Sequence, residues 1–417
     1  MSFVTHLTGI GSGRRYAADM PMNLDPVDGR PVRMELDLEA LARDYPDSGW
    51  YHPERSDMWR FGGLLPLDIN DPLDRRHIVT LGEGHTPLLD ASSLPLAKST
   101  GLQLWIKDEG HPHAGFGENP THSFKDRGMA VVASMAQRFG IDALAVPTQG
   151  NAGDSLCRYA CQIGSRIVVA MPADTPMPIL GAVAAAARLN ENVTLELVEG
   201  SIREAGALLK DKYLPEGYFN CATFQEPGWR IEGKKTLGLE IAEALEDYSG
   251  WRLPDAIIYP TGGGTGVLGM WKAFDELQAL GLVGAHRPRI YAVQSCATQP
   301  LVTAMQQDQP DTTPQSGGHT LAVGLNVPGG VGHFEVLRII RASGGEALAI
   351  SEEHMTRMFS DTWQRTGWWL CPEGAMALAA IPPLFESGAL RPNETVVVVN
   401  TGSFEKYLPD VRHLLRC

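Results

Sequence analysis

From about residue 75 onward, short apolar runs alternate with longer amphipathic stretches. The apolar runs are bounded by glycine or proline, and strands are expected over 102–106, 143–147, 166–171, 193–198, 256–259, 289–293 and 395–399. Helices are expected over 125–139, 151–163, 202–210, 231–246, 266–280, 354–366 and 373–384. Apolar strands with helices between them read as crossover units on a parallel sheet, so the fold class expected is α/β. Residues 1–74 are polar and proline-rich, with one helix candidate at 37–43. They read as an arm or edge extension. The polar stretch 306–319 reads as a surface loop.

Composition narrows the function classes. A chain of 417 residues is long enough for two packed domains. A formal net charge of -14 argues against a nucleic-acid partner and requires that any anionic ligand be held by local donors. No apolar run approaches the roughly 20 residues of a membrane helix, and the first residues lack the pattern of a secretory signal. Six cysteines occur with no Cys-x-x-Cys pair, which suits a reducing cytoplasm. Cys157 and Cys161 lie one helical turn apart and read as packed apolar residues, so no metal is expected.

The candidate chemistry begins at Asn119-Pro120-Thr121-His122-Ser123-Phe124-Lys125-Asp126-Arg127-Gly128. Lys125 falls at the head of a predicted helix, where the dipole and free N–H groups disfavour an ammonium and favour an amine or its imine with an aldehyde. Taken alone, it reads more readily as a solvated lysine. Downstream, Gln149-Gly150-Asn151-Ala152-Gly153 closes a strand and opens a helix. The Asn151 amide could donate to a phenolate oxygen, and nearby N–H groups could take a carboxylate. Asparagine equally suits a helix cap.

Thr261-Gly262-Gly263-Gly264-Thr265-Gly266 follows an apolar strand and precedes a helix, the setting of a phosphate cradle. No Gly-Lys-Ser/Thr follows, so a nucleoside triphosphatase loop is not supported. A dinucleotide fingerprint can be forced onto 264–269, but late in the chain and without a ribose-binding acid. Thr401 ends an apolar strand, where its hydroxyl could meet a pyridine nitrogen or simply close a turn. Lysine, amide and cradle in this order are the parts needed to hold pyridoxal phosphate as a Schiff base.

With these motifs the chain resembles threonine synthases and their relatives in the fold-type-II pyridoxal-phosphate family, a tryptophan synthase β-like fold. The matching segments include Leu81-Gly82-Glu83-Gly84-His85-Thr86-Pro87-Leu88, Trp105-Ile106-Lys107-Asp108-Glu109-Gly110 and 119–129. They continue with Arg230-Ile231-Glu232-Gly233-Lys234-Lys235-Thr236, 259–274, Cys371-Pro372-Glu373-Gly374-Ala375 and Asn400-Thr401-Gly402-Ser403. The resemblance implies two parallel-sheet α/β domains with the cofactor between them. The larger would comprise 75–124 with 225–417, the smaller 125–224, and 1–74 would be an extension. It implies that Lys125 carries the cofactor and shuttles protons, Phe124 packs on the ring, and Asn151 contacts the 3-oxygen. It implies that Gly262, Gly263, Gly264, Thr265 and Gly266 bind the phosphate and that Thr401 partners the ring nitrogen. Ser123, Thr148, Gln149, Ala152 and Arg230 would face an amino-acid substrate, and a homodimer is expected.

Threonine synthases convert O-phosphohomoserine and water to threonine and phosphate. The competing activity is β-elimination or β-replacement on a serine-like amino acid, as in a dehydratase, ammonia-lyase or cysteate-synthase-like enzyme. A catalytically silent, regulatory homologue is the third reading, and retention of Lys125 argues against it. Three departures stand out. Stretches 11–16 and 23–29 carry no cysteine where the family often has a zinc ribbon. His122 stands where many members have glycine, and an imidazole there could act as acid or base. The turn 148–154 is poorer in hydroxyls at Gln149 and Ala152, and Glu226 would repel the substrate phosphate that Arg230 would attract.

Overall fold

The computed structural model describes residues 3–247 and 250–415. Strands in chain order are β1 (Val4–Gly9), β2 (Arg15–Ala17), β3 (Val32–Leu36), β4 (Leu88–Asp90), β5 (Gln103–Asp108) and β6 (Ala143–Pro147). They continue as β7 (Arg166–Pro172), β8 (Val193–Val198), β9 (Phe219–Asn220), β10 (Ala256–Pro260), β11 (Arg289–Ser295), β12 (Ala347–Ile350) and β13 (Thr395–Asn400). The chain divides into two units, Met1–His85 with Asn119–Thr236, and Thr86–Glu118 with Leu237–Cys417. The breaks expected after 74, 124 and 224 lie inside the first unit. Among the described residues, no helix is long and apolar enough to cross a membrane.

The first unit holds two sheets. One is parallel, in the order β8-β7-β6-β9. The other is antiparallel, in the order β2-β1-β3, and is built from the lead segment. That segment is no loose arm: Leu7, Met34, Met58 and Trp59 are buried in one core with Met129, Val131 and Tyr159. Its turns close on buried Asp25, whose carboxylate accepts from the Ser12 and Tyr16 hydroxyls, each at 2.5 Å, and from the Val27 N–H at 2.8 Å. These bonds tie down the stretches 11–16 and 23–29 without any cysteine.

The second unit holds a six-stranded sheet in the order β12-β11-β10-β13-β5-β4. Pairing is parallel throughout except at the edge, where β4 runs antiparallel to β5. Its centre is apolar, and every residue of β10 is buried. Because β10 and β13 are parallel neighbours, the glycine loop after one and Thr401 after the other emerge on the same sheet edge. The expected helix 373–384 is two helices, Pro372–Ala379 and Ile381–Glu386. Pro382 and Pro383 lack the N–H groups that would continue the first.

Candidate active site

In the first unit, helix Lys125–Phe139 starts where its local bonds place it. The preceding turn closes with the His122 N–H donating to the Asn119 carbonyl at 2.7 Å. Buried Asp126 accepts from the Thr121 N–H at 2.7 Å and from the Thr121 and Ser155 hydroxyls at 2.6 Å. One carboxylate thus ties the lysine turn to helix Ala152–Ala160. Lys125 is the first helical residue, with Nζ 4.4 Å from the centre of the Phe124 ring. A second lysine shares that ring: Lys234 is fully buried with Nζ 3.5 Å from its centre. Beside it, Gly233 packs against helix Lys125–Phe139, where a Cβ would overlap the Arg127 carbonyl.

Asn151 precedes helix Ala152–Ala160, but its side chain makes no capping bond. Its side-chain carbonyl oxygen is buried with no hydrogen-bond partner among the described residues, as is the Ser123 hydroxyl. Buried polar atoms are ordinarily paired, so both groups are left for a ligand. The Thr148 hydroxyl braces the turn by accepting from the Gly150 N–H at 3.0 Å. Gln149 is half-buried and Ala152 buried on the same turn. His122 has an exposed ring and a φ of +53°, the left-handed conformation that favours glycine. Its visible contribution is to the turn. Arg230 is buried, its Nη1 donating to the Cys221 carbonyl at 3.0 Å and its backbone N–H to Glu226 at 3.1 Å. Burial pushes the Glu226 carboxyl up to about 7, against the pull of Arg230.

In the second unit, Gly264 has a φ of +89° and caps helix Thr265–Ala279 with no side-chain bond, leaving the first-turn N–H groups without an acceptor from the cap. A Cβ at Gly262 would overlap the Gly324 carbonyl, and one at Gly266 the Tyr259 hydroxyl. Gly263 is half-buried between them. The Thr261 hydroxyl donates to the Tyr259 carbonyl at 2.8 Å and fixes the loop's start. Thr401 is buried, with Oγ1 3.9 Å from the Cys371 sulfur. Next to it, the Asn400 amide donates to Asp108 Oδ1 at 2.9 Å and accepts from the Cys371 N–H at 3.0 Å. Asp108 Oδ2 in turn meets His111 Nδ1 at 3.3 Å and His113 Nε2 at 3.0 Å. Burial raises the Asp108 carboxyl, but the bonds from the two histidines outweigh it and hold the group well below the usual carboxylate range.

Lys234, His111, His113, Asp108 and Cys371 went unassigned in the sequence reading, and their signal is tertiary. Each unit by itself carries groups that fit part of a pyridine aldehyde phosphate. The first offers an amine at a helix head and an asparagine side chain that caps nothing, and the second a loop whose glycines leave no room for side chains and a hydroxyl at a strand end. Residues 79–402 match the family described as pyridoxal-phosphate dependent enzyme, and the chain belongs to it. It is therefore a pyridoxal-phosphate-dependent enzyme of fold type II.

The chain is 29% identical over 374 residues to a threonine synthase of Methanosarcina acetivorans, covering 89% of this chain and 83% of that protein. It is 29% identical over 346 residues to a threonine synthase of Methanocaldococcus jannaschii, covering 83% and 79%. Among solved structures, threonine deaminase isoform 2 from Solanum lycopersicum superposes with a TM-score of 0.62 at 21% identity, covering 83% of this chain and 90% of that one. Maize serine racemase gives 0.62 at 17%, covering 80% and 93%. These two likenesses speak for the fold.

Proposed function

We propose that the protein is a lyase that converts O-phosphohomoserine and water to threonine and phosphate. What carries the reading is likeness to a threonine synthase through 89% of this chain and 83% of that relative. Bound pyridoxal phosphate would supply an electron sink that acidifies the protons of an amino acid. Lys125 would hold its aldehyde carbon, Phe124 its ring face, Asn151 its 3-oxygen and Thr401 its ring nitrogen. Gly262, Gly263, Gly264, Thr265 and Gly266 would hold its phosphate. Ser123 and the turn of Thr148, Gln149 and Ala152 would bind the substrate carboxylate. In the net reaction phosphate would leave Cγ, water would add at Cβ, and the protons taken from Cα and Cβ would return to Cα and Cγ, with Lys125 as the group that moves them.

One observation favours the second reading, β-elimination or β-replacement on a serine-like amino acid. The Arg230 guanidinium is buried against the Cys221 carbonyl and Glu226, which weakens its part in holding a substrate phosphate. Incubation with O-phosphohomoserine should release phosphate and give threonine. Ammonia and a keto acid from serine, with phosphohomoserine inert, would replace the first reading by the second. Arg230→Ala should weaken a phosphorylated substrate more than an unphosphorylated one. We also infer a reducing compartment, supported by free thiols at Cys157, Cys161, Cys221, Cys296 and Cys371. A homodimer, expected from the family resemblance, is tested by sedimentation.

A further inference from the structure

We propose that His333 is a positioning residue that aims the glycine loop at the cofactor phosphate through a single bond to the Gly262 carbonyl. The inference rests on the loop's assignment as phosphate cradle. His333 is the first residue of helix His333–Ser343 and is fully buried. Its Nε2 lies 2.9 Å from the Gly262 carbonyl oxygen. A carbonyl only accepts, so Nε2 bears the hydrogen. On the other side of the ring, Nδ1 lies 3.2 Å from the Gly330 backbone nitrogen and 3.0 Å from Thr312 Oγ1. A backbone N–H only donates, so Nδ1 presents its lone pair. The surroundings therefore select one neutral tautomer and satisfy both nitrogens.

The bond to Gly262 matters because of what shares its peptide plane. In a trans peptide, C=O and N–H point in opposite directions, and no cis bond occurs among the described residues. Holding the Gly262 carbonyl toward the imidazole aims the Gly263 N–H the other way. That N–H is one of the donors a phosphate cradle needs. Gly262 is also packed so closely on Gly324 that no Cβ fits. The loop is thus held both by the imidazole and by its packing on Gly324.

Protonation would leave Nε2–H donating to the Gly262 carbonyl, and an Nδ1–H would have Thr312 Oγ1 as its acceptor in place of the Gly330 N–H. Burial holds the imidazole below its ordinary value, opposed by the Gly262 carbonyl and by Asp311, the charged group that faces it from the loop before the helix. The bond to Gly262 therefore needs a donor at this position and does not depend on the charge of the ring.

The test uses two substitutions in the holoenzyme. His333→Gln can still donate to the Gly262 carbonyl and accept from the Gly330 N–H, whereas His333→Leu can do neither. The readouts are cofactor dissociation on dialysis and the phosphorus NMR shift of bound pyridoxal phosphate at about pH 7.5. H333L should release cofactor about tenfold more readily, the loss expected for one buried hydrogen bond, and shift the phosphorus resonance. H333Q, which keeps a donor to the Gly262 carbonyl, should stay near wild type in both. Wild-type retention and an unshifted resonance in H333L would overturn the inference. If H333L does not fold, His333→Met, which also lacks the donor, is read in its place, and unaltered retention there overturns the inference. The cradle assignment is checked separately by Gly266→Ala, which should lose cofactor at every pH. Unaltered retention there would reject the cradle itself.

Discussion

Burial holds two carboxyls of the first unit as acids near neutrality. Glu83 accepts from Trp59 Nε1 at 3.1 Å, the Tyr159 hydroxyl at 2.8 Å and the Leu81 N–H at 2.9 Å, and burial still pushes it up to about 7. Glu226 is pushed up to about 7 as well. Each keeps its proton in the folded chain over a range where the unfolded chain has lost it. Each contribution to stability therefore falls as pH climbs from about 4.5 toward 7 and is level on either side, a swing of about 3 kcal/mol per carboxyl. Urea midpoints across that window should decline, and Glu83→Gln should remove part of the slope. An unchanged slope in that variant would contradict the assignment. At the same scale, with Asn151 Nδ2 as the proposed donor to the 3-oxygen, Asn151→Ala should weaken cofactor binding about tenfold with little loss of melting temperature, because the side chain caps nothing. Lys125, Asn151 and Thr401 stand out in the sequence because each sits at an element boundary that it marks, and their roles remain proposals. Lys234 and His333 do not stand out, because their meaning lies in what the fold brings against them.

Elements were legible where their ends were punctuated. Helix Lys125–Phe139 ends at Gly140, in the left-handed conformation, and both ends match the expected bounds. Strands β6 and β8 also match. Helix Met177–Leu189 was missed because alanines and aliphatic residues surround it on nearly every side, leaving no polar face to give a period. The short strands β1, β2 and β3 were missed because alternation over three to six residues does not stand out among turns. Glycines separate two kinds of helix position. Gly181→Ala, where an added Cβ meets nothing within 4 Å, should stabilise by about 1 kcal/mol. Gly233→Ala would overlap the Arg127 carbonyl at the crossing of two helices and should cost several times that. Thermal melts of the pair check both signs.

At the scale of the whole molecule, the lead segment is part of the first unit's core. Met34 is fully buried among residues of helix Lys125–Phe139 and strand β7, so Met34→Ala should cost about 2 to 5 kcal/mol. A loose arm would lose almost nothing, and a urea titration distinguishes the two. The parallel sheets and their crossover helices were readable from alternation of apolar runs. The sheet edge that carries the glycine loop and Thr401 followed only from strand order, which places β10 beside β13.

The central claim is that Lys125 carries the cofactor. Borohydride reduction of the protein with pyridoxal phosphate, followed by peptide mass analysis, fixes the label on whichever lysine held it. The label should fall on Lys125 and vanish in Lys125→Ala. A label on Lys234, which shares the Phe124 ring, or on no lysine at all, would contradict the account.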